Sequence, residues 1–127
     1  MTPNAVAHEI VDAAYHVHVA LGPGLLESVY EVVLAHELQG RDLSVVRQQP
    51  IPITYRGVQF PVGFRADMIV NDLIIVEIKS VDELLPVHKK QLVTYLRLAD
   101  KRLGLLVNFG ARLVKDGIIR IVNGLQD

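Results

Sequence analysis

The chain has 127 residues, half of them hydrophobic, with a formal net charge of −1 and no cysteine, which suits one domain burying roughly two-thirds of its unfolded surface. The near-neutral balance supplies no global positive field, so contact with nucleic acid must rest on a local patch, and the lack of thiols excludes disulfides, zinc–thiolate sites and cysteine nucleophiles. The N-terminal stretch lacks a basic segment followed by an apolar core, and no apolar run nears the roughly 20 residues of a membrane span, so the expectation is a cytoplasmic protein without membrane contact.

Asn4 reads as an N-cap, and Val6, Ile10, Ala13, Val17 and Leu21 follow at helical spacing. A helix over about 4–20 should stop at Gly22-Pro23-Gly24. A second is expected over 25–39, with Leu26, Val29, Val33 and Leu34 apolar and Gly40 as the C′ residue. From Leu43 the character changes. Val45, Val46, Ile51, Ile53 and Tyr55 favour a strand that Pro50 and Pro52 confine to an edge or a bulge. Arg56-Gly57 is a turn, and Val58 to Val70 is extended, with a kink near Pro61 to Gly63. Leu73 to Val81 is a third strand, and Pro86 to Ala99 a helix with Pro86 in its first turn. Leu103 to Asn108 is a buried strand, and Ile118 to Val122 a last one after the turn at Asp116-Gly117. The order is α-α-β-β-β-α-β-β, with no repeat or linker. Three strands in series imply an antiparallel meander, and the helix before Leu103 implies a right-handed crossover to a parallel strand. The expected fold is α/β, one domain over 1–127 with a mixed central β-sheet flanked by helices.

The chemistry concentrates between Asp67 and Lys79. Two runs rich in Ile and Val are split by Asn71-Asp72, yet Asp67, Glu77 and Lys79 interrupt them. Charged groups are almost never fully buried unless paired or bound to a metal. Glu77 and Lys79 share one strand face, because side chains alternate with a period of two. Two carboxylates in one small site repel unless a cation lies between them, and oxygen ligands of this kind suit Mg²⁺. The alternative is a structural ion pair of Lys79 with Glu77 or Asp67. Loop length decides between them. A two-residue turn at Asn71-Asp72 would set Asp67 against Val76 and send Glu77 to the other face. A shared cation needs an odd loop length or a bulge between Asn71 and Leu73.

Other residues carry weaker signals. Glu27, Tyr30 and Glu31 share a helix face, and Glu27 lies where a helix dipole favours an acid. Gln91 and Tyr95 stand four apart on the third helix and can reach each other or a phosphate. His16 and His18, two apart on a helix, point to nearly opposite sides and cannot share a metal; His18 is expected to pack or hydrogen-bond near the Gly-Pro-Gly turn. His88, Lys89 and Lys90, with Arg97, Lys101 and Arg102, form the best basic patch.

Several stretches in order resemble one family: Val17-His18-x-x-Leu21-Gly22-Pro23-Gly24, Gly24-x-x-Glu27-x-x-Tyr30, Tyr55-Arg56-Gly57, Arg65-Ala66-Asp67, Val76-Glu77-Ile78-Lys79, Gln91-x-x-x-Tyr95-Leu96 and Leu105 to Gly110. Together they resemble the GxxExxY proteins, a family within the PD-(D/E)XK nuclease-like superfamily. Ala66 stands where the proline of the superfamily's name would precede Asp67. The resemblance implies a restriction-endonuclease-like core. It implies Asp67 and Glu77 as catalytic metal ligands for Mg²⁺ (or Mn²⁺), with the Ile78 carbonyl a further ligand. Lys79 would align the attacking water, and Glu27 would complete the metal shell. Gln91 and Tyr95 would contact the substrate, and Tyr30 beside Glu27 and Lys90 of the basic patch are further candidates for substrate contact. The expected function is a metal-dependent nuclease hydrolysing nucleic-acid phosphodiester bonds, with DNA ahead of RNA as partner and a homodimer as one way to gain substrate affinity. The competing expectation is a catalytically silent nuclease-fold module that binds nucleic acid or a protein partner.

Overall fold

A computed structural model describes residues 1–126. Helix α1 spans Pro3–Leu21 and α2 spans Glu27–Gly40; β1 (Val45–Tyr55), β2 (Val58–Val70) and β3 (Ile74–Lys79) follow. Then come α3 (Pro86–Ala99), β4 (Leu103–Asn108), a 3-10 turn at Val114–Gly117 and β5 (Ile118–Val122). The strands lie side by side in chain order, β3 and β4 parallel and the other neighbours antiparallel. The mixed α/β fold and its element order are those expected, with the 3-10 turn added.

The helix starts shift. Proline is preorganised for the first helical position, so α1 begins at Pro3 and its cap falls one residue earlier. Thr2 Oγ1 accepts from Ala5 N–H at 3.1 Å. Asn4, expected as the cap, lies inside the first turn, and its Oδ1 accepts from Arg120 Nη2 at 2.6 Å. Helix α2 starts at Glu27 and has no side-chain cap at Leu26. Past Gly40, the left-handed position falls on Asp42, at φ +62°.

One sheet face is covered by α1 and α2. Val6, Ile10, Ala13 and Ala14 there meet Met68, Val70, Ile74, Val76 and Ile78, with Leu103, Leu105 and Val107 of β4. The other face is covered by α3, whose Leu92 and Leu96 pack on Ile69, Ile75 and Leu106. Strand β3 is therefore buried on both sides, which explains its unbroken run of Ile and Val.

Beyond the core, β1 and β2 continue as a two-stranded arm. Its tip is a two-residue turn with φ +49° at Arg56 and +78° at Gly57, signs that match a type I′ hairpin turn. The expected irregularity at Pro61–Gly63 is a register shift: these three residues face Pro52 alone. Gly63 is required there, since a Cβ would lie 2.2 Å from Ile53 Cγ2.

Asn108, at the end of β4, ties down the segment that follows Lys79. Its Oδ1 accepts from Val81 N–H (3.0 Å) and Gly110 N–H (3.0 Å), and its Nδ2 donates to the Val81 carbonyl (2.9 Å). A Cβ on Gly110 would sit 2.2 Å from that carbonyl oxygen. Gly110→Ala is therefore expected to cost about 1–3 kcal/mol, as overpacking against backbone does. Thermal unfolding checks this, and an unchanged Tm would mean that the segment yields freely.

Candidate active site

Strands β2 and β3 are joined by three residues, Asn71 to Leu73. Asn71 (φ +52°) and Asp72 (φ +54°) are left-handed, a conformation their short polar side chains tolerate best after glycine. Asn71 is fixed by a reciprocal pair with Ser44: its N–H donates to the Ser44 carbonyl and its Oδ1 accepts from Ser44 N–H, both at 2.8 Å. Pairing of Val70 with Ile74 and of Met68 with Val76 follows, so the next pair in register is Asp67 with Glu77. The odd loop length thus puts both carboxylates on one face.

The ladder opens at that pair, and side chains take over its hydrogen bonds. Glu77 Oε2 accepts from Asp67 N–H at 3.4 Å, and Asp67 Oδ2 accepts from Ile78 N–H at 2.9 Å. The Lys79 carbonyl accepts from Phe109 N–H on the β4 side. Strand alternation then turns the Ile78 carbonyl toward β2, the side on which Asp67 holds its N–H.

Helix α3 closes the other wall. His88, Gln91, Leu92 and Tyr95 recur at helical spacing, with Leu92 anchoring the face in the core. These four, with Arg65, Asp67, Glu77, Lys79 and Leu106, line a cleft of about 140 Å³. The Tyr95 ring stacks on Phe64 at 3.9 Å, 4° from parallel. Burial, and then the carboxylates of Glu77 and Asp67, raise the Tyr95 pKa, so it remains a hydroxyl donor. His88 Nδ1 accepts from Leu85 N–H at 3.0 Å, which leaves the proton of the neutral ring on Nε2. Among the described residues Lys79 forms no ion pair, so the structural pairing considered for it with Glu77 or Asp67 is not made.

Glu77 is the most perturbed group. Burial first, then the neighbouring Asp67 carboxylate, push its pKa up to about 9, and Lys79 offsets little of this. Its Oε1 is buried and has no hydrogen-bond partner among the described residues. An orphaned carboxylate oxygen beside a second carboxylate is poorly satisfied unless protonated or bound to a cation. Two carboxylates and a carbonyl suit a hard cation that keeps several waters, so these residues fit Mg²⁺ or Mn²⁺. Among the described residues, no three His, Cys, Asp or Glu side chains come together as a metal cluster.

Some expected site residues lie elsewhere. Glu27 is not part of the cleft lining; its Oε1 accepts from Ser80 N–H at 3.4 Å, just past the end of β3. Tyr30 cannot contact a substrate, because it is fully buried. Its hydroxyl donates to the Gly22 carbonyl and accepts from Leu25 N–H, and its ring stacks on Phe109 at 4.5 Å. Tyr30 instead closes the α1–α2 loop. Lys90 is exposed on α3, outside the cleft. The basic patch is narrower than its residue types suggest: Lys101 pairs with Asp72 at 2.8 Å and Arg102 with Asp100 at 2.9 Å. His18 hydrogen-bonds to the Ala111 carbonyl at 2.8 Å and stacks on Phe109.

Sequence reasoning missed Arg65 and His88 as lining residues. Both had a signal: Arg65 precedes Asp67 by two on the same strand, and His88 precedes Gln91 by three on the same helix.

A mixed sheet whose second and third strands bring Asp, Glu and Lys to one cleft under a crossover helix is consistent with the restriction-endonuclease-like fold. The chain belongs to the PD-(D/E)XK nuclease superfamily, whose family pattern matches residues 4–121. No curated protein and no solved structure matches it. Nucleases of this superfamily generally use divalent metals. Among the described residues, no helix is long and apolar enough to cross a membrane.

Proposed function

We propose that this chain is a divalent-cation-dependent nuclease that hydrolyses nucleic-acid phosphodiester bonds, with Mg²⁺ or Mn²⁺ held by Asp67, Glu77 and the Ile78 carbonyl, and with DNA ahead of RNA as substrate. The observation that carries it is the buried Oε1 of Glu77, unpartnered among the described residues, next to Asp67 at the open end of the β2–β3 ladder. When bound, the cation supplies Lewis-acid charge stabilisation and lowers the pKa of its water. The rest falls to the chain. Lys79, which forms no ion pair among the described residues and lies two residues from Glu77, aligns the attacking water and balances negative charge that grows on the phosphoryl oxygens. Arg65 and the Nε2–H of His88 offer donors to flanking phosphates, and Gln91 and Tyr95 fix the substrate strand along α3. The stacked Phe64–Tyr95 pair keeps that wall rigid.

Incubating the purified chain with mixed DNA and RNA substrates in Mg²⁺ or Mn²⁺ tests this reading. Wild type should cleave, while Asp67→Ala should lose at least about a hundredfold in rate. Equal cleavage by both would show a contaminant and remove the nuclease assignment. A second reading, a silent module that binds nucleic acid or protein, draws on the absence of a third metal-ligating side chain among the described residues. It predicts nucleic-acid binding without turnover.

A further inference from the structure

Strand β1 runs beside β2 in one register from Val45 opposite Val70 to Ile51 opposite Phe64, but one position is skipped. That position is Gln48, which faces Asp67. Its backbone is left-handed, at φ +53°. Glutamine gains nothing locally from this conformation, which costs an L-residue roughly 1–2 kcal/mol. Held strain in the middle of a strand calls for a reason in the side chain.

The side-chain amide supplies one. Gln48 Nε2 donates to Glu31 Oε1 at 2.7 Å and points its second hydrogen at Asp67 Oδ1, 3.5 Å away. Both neighbours are carboxylates, which only accept, so the nitrogen must be the atom that faces them. Glu31 is a firm anchor. It comes from α2 and is only 6% exposed. Its Oε2 is held by Arg47, with Nε at 2.9 Å and Nη2 at 2.8 Å. On Asp67, Oδ2 is already taken by Ile78 N–H at 2.9 Å. Among the described residues, Gln48 is the side chain that donates toward the remaining oxygen, Oδ1.

We infer that Gln48 is a positioning residue: its amide, anchored on the Arg47-paired Glu31, orients Asp67 Oδ1 for a divalent cation. The inference rests on the reading of Asp67 as a cation ligand. It also changes how α2 serves the site. The helix acid that reaches the carboxylate pair is Glu31, acting through Gln48, whereas Glu27 binds the backbone at Ser80. Outer partners of this kind commonly account for a 10- to 100-fold effect on metal affinity.

The test is calorimetric titration of the full chain with Mn²⁺ at pH 8, together with cation-free thermal unfolding, for wild type, Gln48→Gly and Gln48→Asn. Glycine and asparagine tolerate positive φ, so both variants keep the backbone while removing or shortening the amide arm. Relief of the positive-φ strain offsets the hydrogen bond lost to Glu31, so the cation-free Tm should change little, while Mn²⁺ affinity falls about tenfold in both variants. A structural turn residue would not show that split. Wild-type affinity in both variants overturns the positioning role and leaves the cation site standing. No Mn²⁺ binding by wild type overturns the cation site, and the positioning role with it.

Discussion

Glu77→Gln is expected to stabilise the cation-free protein at pH 8 and to abolish its stabilisation by Mg²⁺ or Mn²⁺. Burial and Asp67 raise the folded-state pKa of Glu77 to about 9, against 4.5 for an ordinary glutamate. The folded chain therefore holds a proton that the unfolded chain releases. The stability this contributes is fully present below about pH 4.5 and is lost as pH rises through 9. Across that window the cation-free wild type should lose up to about 1.4 kcal/mol per pH unit, on the order of a few kcal/mol by pH 8. Glutamine has the same shape, carries no proton to lose and removes the slope. A cation replaces the proton, so its apparent affinity for wild type should climb with pH, about tenfold per unit below 9. Thermal unfolding from pH 5 to 9, with and without 5–10 mM cation (roughly physiological to saturating), measures both effects. A flat wild-type profile, or a glutamine variant still stabilised by Mg²⁺, would contradict the assignment of Glu77.

Lys79→Ala is expected to separate binding from chemistry. Lys79 shares a strand face with Glu77, lines the cleft and forms no ion pair among the described residues. Its removal should leave the cation ligands intact, and Mg²⁺ should still raise the Tm. Turnover should fall by about 10²–10⁴, the usual range when a group that aligns water or stabilises developing charge is lost. Substrate binding measured in Ca²⁺ should change by less than about tenfold, because one phosphate contact among several is removed. A variant that cleaves at the wild-type rate would take Lys79 out of the mechanism. One that no longer responds to Mg²⁺ would make it a structural partner of the carboxylates instead.

Much of the fold was legible because its determinants are local. Helical spacing from Val6 to Leu21, the breaker at Gly22-Pro23-Gly24 and the β-branched runs around Asn71-Asp72 each act within a few residues. Errors of one or two residues arose at helix starts, where Pro3 draws the cap to Thr2. The parity argument on the Asn71–Leu73 loop was also local, and the observed register has the geometry that a shared cation requires. Tyr30 illustrates the opposite case. Its spacing from Glu27 on a helix face says nothing about whether that face meets solvent, and Phe109, nearly 80 residues on, covers it.

The amino-acid sequence by itself determined the elements, their order and the concentration of Asp67, Glu77 and Lys79 on one hairpin, since hydrophobic period and turn chemistry are properties of neighbouring residues. Only the tertiary structure decided what surrounds that hairpin. The crossover through α3 carries His88, Gln91 and Tyr95 over it, and the packing of α2 brings Glu31 rather than Glu27 to Asp67 through a strained Gln48. The burial that lifts Glu77 and leaves its Oε1 without a partner among the described residues arises in the same way. These are effects of proximity and desolvation between segments distant in the chain, which no local pattern encodes.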